Sequence, residues 1–137
     1  MAIEFDVTEA AHVFRGEDKT LQLEIFTDDT QTAALDVSGF ALSWVLRKHD
    51  LHPTALVSKS TVAPAGITIA GVFNANPQVN TQKVQISLLD TDTYDPPAIP
   101  AVNIKPGTYR HSLKREDIGA KTVLMFGDFT ILGATAP

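Results

Sequence analysis

The residues of this 137-residue sequence best suited to chemistry are an acidic cluster, four histidines and a few turns bearing serine or carboxylates. Asp90, Asp92 and Asp95 stand in D-T-D-T-Y-D, a spacing that could offer oxygen ligands to Ca²⁺. A calcium loop of the EF-hand kind needs Gly at its sixth position and Glu at its twelfth, where this stretch has Asp95 and Ala101. The run reads instead as a strand-end turn in which Asp and Thr side chains cap backbone groups. His49 and His52 flank a proline-containing turn, and to hold a metal they would need His12, His111 or a carboxylate to converge on them. Nothing in the spacing predicts that convergence. His49 and His52 are expected to be solvent-exposed, and His111, alternating with Tyr109 and Leu113, to be half-buried with one hydrogen bond.

Covalent catalysis would need a serine on a strained turn, yet there is no G-x-S-x-G, and Ser38-Gly39 lies in an ordinary Asp-Val-Ser-Gly turn. Glu116-Asp117 falls in a hairpin loop without the apolar surroundings that raise a carboxyl pKa. None of the eight glycines stands in a phosphate-cradling arrangement. The reading is therefore of a chain with no catalytic, cofactor-binding or metal-binding residues.

The elements that would position any site are strands. Leu21, Leu23 and Ile25 alternate with Gln22, Glu24 and Phe26. Phe40, Leu42, Trp44 and Leu46 alternate with Ala41, Ser43, Val45 and Arg47, which predicts a central strand with Trp44 as a core anchor. Val84, Ile86 and Leu88 repeat the pattern, as do Tyr109, His111 and Leu113, and then Val123, Met125, Phe129 and Ile131 with Gly127 as a bulge or close approach. Weaker candidates are Ile3 to Val7, His12 to Arg15, Leu56 to Ser60 and Ile67 to Ala70. Turn residues separate them at Asp28-Asp29, Ser38-Gly39, Pro64-Ala65-Gly66, Pro106-Gly107 and Asp117-Ile118-Gly119, the last closing a hairpin over Lys114 to Lys121. No apolar stripe of helical period runs beyond about two turns. The expected fold is all-β, an antiparallel sandwich of seven to nine strands forming one domain over 1–137 with extended terminal segments.

Composition narrows the function. Apolar residues make up 44% of the chain and charged residues 20%, enough apolar area for one core. The net charge of −5, with Lys and Arg scattered, opposes a nucleic-acid footprint. There is no cysteine, so packing alone must hold the fold, which suits synthesis in a reducing cytoplasm. The start Met-Ala-Ile-Glu-Phe-Asp lacks the features of a signal peptide, and no run approaches the ~20 apolar residues of a membrane span.

Two stretches, 71–81 and 90–106, are long for connections in a compact β domain. Large apolar groups there, with Phe26 on the polar side of its strand, mark candidate interface residues: Phe26, Phe73, Asn74, Asn76, Pro96, Pro97, Ile99 and Val102. The end of the chain, Gly133 to Pro137, lies outside the alternating pattern and adds Ala134 and Pro137 as residues expected to lie along a neighbouring subunit.

Arg15-Gly-Glu-Asp18 before Leu21-Gln-Leu-Glu-Ile25, and Asp36-Val-Ser-Gly39 leading into Ser43-Trp-Val-Leu-Arg-Lys48, resemble small accessory proteins of tailed bacteriophages. Lys105-Pro-Gly-Thr-Tyr109-Arg-His-Ser-Leu113-Lys-Arg115 with Thr122-Val-Leu-Met-Phe-Gly-Asp-Phe129 is similar to the same group, including the N-terminal domain of baseplate upper proteins. The resemblance implies an immunoglobulin-like sandwich that assembles in a virion as a homo-oligomer or on other phage structural proteins. A capsid cement or decoration role is the leading expectation, with the major capsid protein as partner, and a tail or baseplate adaptor is the alternative. A carbohydrate-binding or adhesion module, which would want an exposed aromatic platform, is the more distant one.

Overall fold

Where the sequence alternates apolar and polar residues, the chain is extended and turns most of its apolar side inward; Val123, 40% exposed beside the register shift in the last strand, is turned out instead. The computed structural model describes residues 3–7, 13–28, 30–62, 65–95 and 102–133. In chain order its elements are β1 (Ile3–Glu4), β2 (Lys19–Leu23), β3 (Leu42–Arg47), β4 (Ala55–Ser60), β5 (Ile67–Ala70), β6 (Lys83–Leu88), α1 (Asp90–Thr93), β7 (Tyr94–Asp95), β8 (Val102–Asn103), β9 (Gly107–Arg115) and β10 (Thr122–Ile131). Leu42, Trp44 and Leu46 of β3 are buried while Ser43, Val45 and Arg47 are half-buried, and β6 repeats the pattern with Val84, Ile86 and Leu88.

Antiparallel pairing orders the larger sheet β10-β9-β3-β4, and β1 adds to the outer edge of β10 in parallel register, with Ile3 opposite Met125. The smaller sheet is β2-β6-β5, also antiparallel. β7 and β8 form a two-residue ribbon within the long connection from β6 to β9. Four strands facing three make a β-sandwich of seven principal strands, the lower end of the expected range. The order is that of the immunoglobulin arrangement: β2, β6 and β5 stand as B, E and D, and β10, β9, β3 and β4 as G, F, C and C′.

The centre of the sandwich is aromatic. Trp44 and Phe129, both fully buried, meet edge to face with centroids 5.8 Å apart, and His111 sits 6.0 Å from one and 5.3 Å from the other. Tyr109 enters β9 with its hydroxyl donating to the Lys105 carbonyl, and His111 follows two residues later. That is the tyrosine corner of immunoglobulin-like domains, with a histidine where antibody domains place the strand F cysteine. Here the expectation of a half-buried histidine is corrected: His111 is 2% exposed and makes two hydrogen bonds. The Trp44 indole N–H donates to Nδ1 at 3.1 Å, which leaves the proton on Nε2, 2.6 Å from the Phe5 carbonyl.

This second bond ties the N-terminal segment, which pairs with β10, to β9 as well. Gly127 makes the approach possible, since a Cβ there would lie 2.3 Å from the Phe5 carbonyl oxygen. Of the two readings of Gly127, close approach holds; the register shift in β10 lies at Val123/Met125. The pairing continues with Val7 N–H donating to the Asp128 carbonyl and Thr130 N–H to that of Val7. Farther on, Phe14 stands parallel to Leu132. Both weak N-terminal strand candidates thus lie against β10 within the described residues, while His12 is outside them.

The acidic D-T-D-T stretch, expected as a strand-end turn, forms one helical turn, α1, just after β6. Asp92 Oδ2 accepts from the Leu89 N–H at 2.6 Å and pairs with Lys59 at 2.7 Å. Thr93 Oγ1 accepts from the Gly16 N–H at 2.8 Å. These side chains cap backbone groups, as the turn chemistry of Asp and Thr predicts.

Candidate binding surfaces

Four connections meet at one end of the sandwich, and polar side chains from short Asp and Asn turns hold them together. Ala34 N–H donates to the Ala75 carbonyl at 2.9 Å, joining the β2–β3 and β5–β6 connections. Gln82 bridges them again, its Oε1 accepting from Val37 N–H at 3.1 Å and its amide donating to Asp36 at 3.0 Å. Glu24 accepts from Asn80 at 2.7 Å and faces Lys83 at 3.4 Å. The β9–β10 turn joins through Ala41, whose N–H donates to Asp117 at 3.1 Å and whose carbonyl accepts from Glu116 N–H at 2.7 Å. Thr61, at the start of the β4–β5 connection, donates its N–H to the Leu42 carbonyl.

Hydrogen bonds from the Ser38 hydroxyl, then the Gln82 amide and the Ser38 N–H, hold the Asp36 carboxyl below the ordinary Asp range. The Arg115 guanidinium, then the Ala41 N–H, does the same for Asp117. Both carboxylates are occupied in fixing loops. Among the described residues no buried side-chain nitrogen or oxygen lacks a partner.

Apolar side chains stand on this polar frame. Ile118, at the tip of the β9–β10 hairpin, is 99% exposed, with Val72 at 76%, Val62 at 69% and Val79 at 56% in neighbouring turns. Phe40 is half-buried beneath Arg115, whose guanidinium carbon lies 3.7 Å from the ring centroid. Phe26 lies beyond the end of β2, bridged to Ala34, and is half-buried where the notion of an exposed strand face would leave it open. With Phe5, Leu23, Ile25, Leu124 and Met125 it lines a slot of about 170 Å³ between the sheets.

The other candidate interface residues are placed as follows. Phe73 is half-buried in the loop end, and the side chains of Asn74 and Asn76 accept from the N–H groups of Asn76 and Gln78, so both shape their own loop. Val102 belongs to β8, opposite Asp95. Pro96, Pro97, Ile99, Ala134 and Pro137 lie outside the described residues. His49 and His52 come together in the β3–β4 turn with ring centroids 5.1 Å apart. Among the described residues no group of three or more potential ligands could hold a metal. Sequence reasoning missed Val62, Val72, Val79 and Ile118 as exposed groups; the available signal was an apolar residue set inside turn chemistry, as in Asp117-Ile118-Gly119.

At the other end of β9 is a second concavity of about 290 Å³, lined by Lys48, His52, Leu56, Ile104, Lys105 and Tyr109. Its floor is apolar and its two lysines stand at the rim, exposed. Comparison of the chain with protein-family models, curated proteins and solved structures finds no match. No helix among the described residues is long and apolar enough to cross a membrane.

Proposed function

We propose that the chain is a non-enzymatic structural subunit that works by binding, as a cement or decoration protein on a phage shell. The observation that carries this reading is the set of exposed apolar side chains, Val62, Val72, Val79 and Ile118, on loops fixed by hydrogen-bonded Asp, Asn and Gln side chains. Solvent-facing apolar groups on a preorganised frame lose little conformational freedom on docking and gain from burial. The hydrogen-bonded carboxylates of the same loops serve the frame, which favours adhesion over chemistry. The shell as partner is supported by the sequence resemblance to phage accessory proteins.

Sedimentation of the purified chain with empty phage shells, counting bound copies per shell, tests the proposal. A fixed stoichiometric ratio to the major shell protein is expected, reduced at least tenfold when Val72 and Val79 are both replaced by Ser. Absence of binding to shells would overturn the cement role and transfer the reading to the tail or baseplate.

A further inference from the structure

The two ends of β9 carry complementary surfaces. At its start, the cleft is lined by Leu56, Ile104, Tyr109 and His52 together with the exposed Lys48 and Lys105. Neither lysine has an ion-pair partner among the described residues. On an acidic molecule this is a basic rim around an apolar floor. At the end of β9, Ile118 projects into solvent next to Glu116 and Asp117. Asp117 is turned back onto Arg115 and Ala41, but Glu116 has only a 3.6 Å contact with Lys114, and both of those side chains are more than a third exposed. A surface pair of that kind is worth little and exchanges readily.

One end thus offers an apolar knob beside a carboxylate, and the other an apolar hollow beside two ammonium groups. Nine residues of extended chain separate them, roughly 30 Å at the rise of a β-strand. A single copy cannot bring them together, but a second copy can. We propose that copies of this chain associate head to tail, with Ile118 of one entering the Lys48–Lys105 cleft of the next and Glu116 meeting the ammonium groups there. The contact is heterologous: each joint leaves one knob and one cleft free, so growth continues to a ring or a filament. One side chain and a charge pair cover well below the ~1,200 Å² typical of stable complexes, so association depends on concentration. It also weakens with salt, because the charges sit at a solvated rim. The proposal adds a self-contact to the assembly reading above and does not require a shell, so the two are tested apart.

Sedimentation velocity on the purified chain is the test. The wild type is expected to show an average mass that rises with protein concentration and falls with added salt. Ile118→Ser, and Lys48→Glu with Lys105→Glu, are each expected to remain monomeric. Mixed one to one, the two variants should form dimers that grow no further, because each retains one working surface. Lys48→Ser with Lys105→Ser, which removes the two exposed ammonium groups of the cleft without reversing their charge, serves in place of the cleft variant if that variant melts early. A wild type that is monomeric at all concentrations, variants that associate like the wild type, or a mixture that stays monomeric would each overturn the proposal. Binding to phage shells has no bearing on any of these outcomes.

Discussion

His111 is neutral in the folded chain because both of its ring nitrogens are committed: Nδ1 accepts from Trp44, and Nε2 donates to the Phe5 carbonyl. Burial lowers its pKa from the ordinary 6.5, an effect that Arg110 reinforces and that the Phe5 hydrogen bond, Asp6 and Asp128 oppose. A depressed histidine pKa means that the fold disfavours the extra proton. The stability contributed by neutral His111 is therefore complete above pH 6.5 and declines as pH falls through 6.5 toward the lower folded-state value. Asp36 and Asp117, lowered from 3.8, withdraw their contribution only in stronger acid, below the interval between pH 6.5 and 4 in which His111 acts. Urea midpoints should fall across that interval in the wild type. His111→Leu should lose that part of the slope and be less stable at pH 7.5 by about 2–4 kcal/mol, since Trp44 N–H and the Phe5 carbonyl are left buried without partners. The burial of this histidine was not legible from its alternation with Tyr109 and Leu113, which fits a half-buried face equally well. What decides it is Trp44, 67 residues away in sequence.

β1 and the segment after it depend on one small residue. Gly127→Ala would drive a methyl group into the Phe5 carbonyl at 2.3 Å, with Asp6 Oδ1 at 2.7 Å, so residues 3–7 are expected to leave β10 while the seven principal strands remain paired. Hydrogen exchange should then lose protection at the Phe5 and Val7 N–H groups and keep it in β3 and β9. Strands facing solvent on one side were the legible part of the fold: the period-two runs around Leu21, Trp44, Ile86, Leu113 and Phe129 all became strands, because such a strand writes its burial into local sequence. The parallel pairing of residues 3–7 with β10, and of Phe14 with Leu132, has no local signature, since each partner lies more than a hundred residues on. α1 shows only its local cap in the sequence, Asp92 on the Leu89 N–H, and not the reach of Asp92 to Lys59 of β4. The exposed valines and Ile118 escaped notice for a related reason, as exposure at a loop tip depends on how four connections meet.

At the scale of the whole molecule, the larger sheet ends in β4, whose outer edge must not recruit other chains. Lys59 points inward from that edge, with its side chain 11% exposed and its ammonium on Asp92. An inward charge is one of the ways natural sheets prevent edge-to-edge pairing. Lys59→Leu is expected to strip Asp92 of its partner and raise aggregation on heating, read as turbidity at a temperature where the wild type stays clear. The other edge of that sheet has a different consequence. Because the N-terminal segment runs parallel to β10, a pull on the two ends of the chain draws the two strands in opposite directions along their length. The bonds from Phe5 to Phe126, Val7 to Asp128 and Thr130 to Val7 are then loaded together in shear, where an antiparallel pair joined at its end would open one bond at a time. The domain should resist stretching as a clamp, giving way in single-molecule pulling at one high peak of force. Gly127→Ala should lower that peak far more than it lowers the melting temperature.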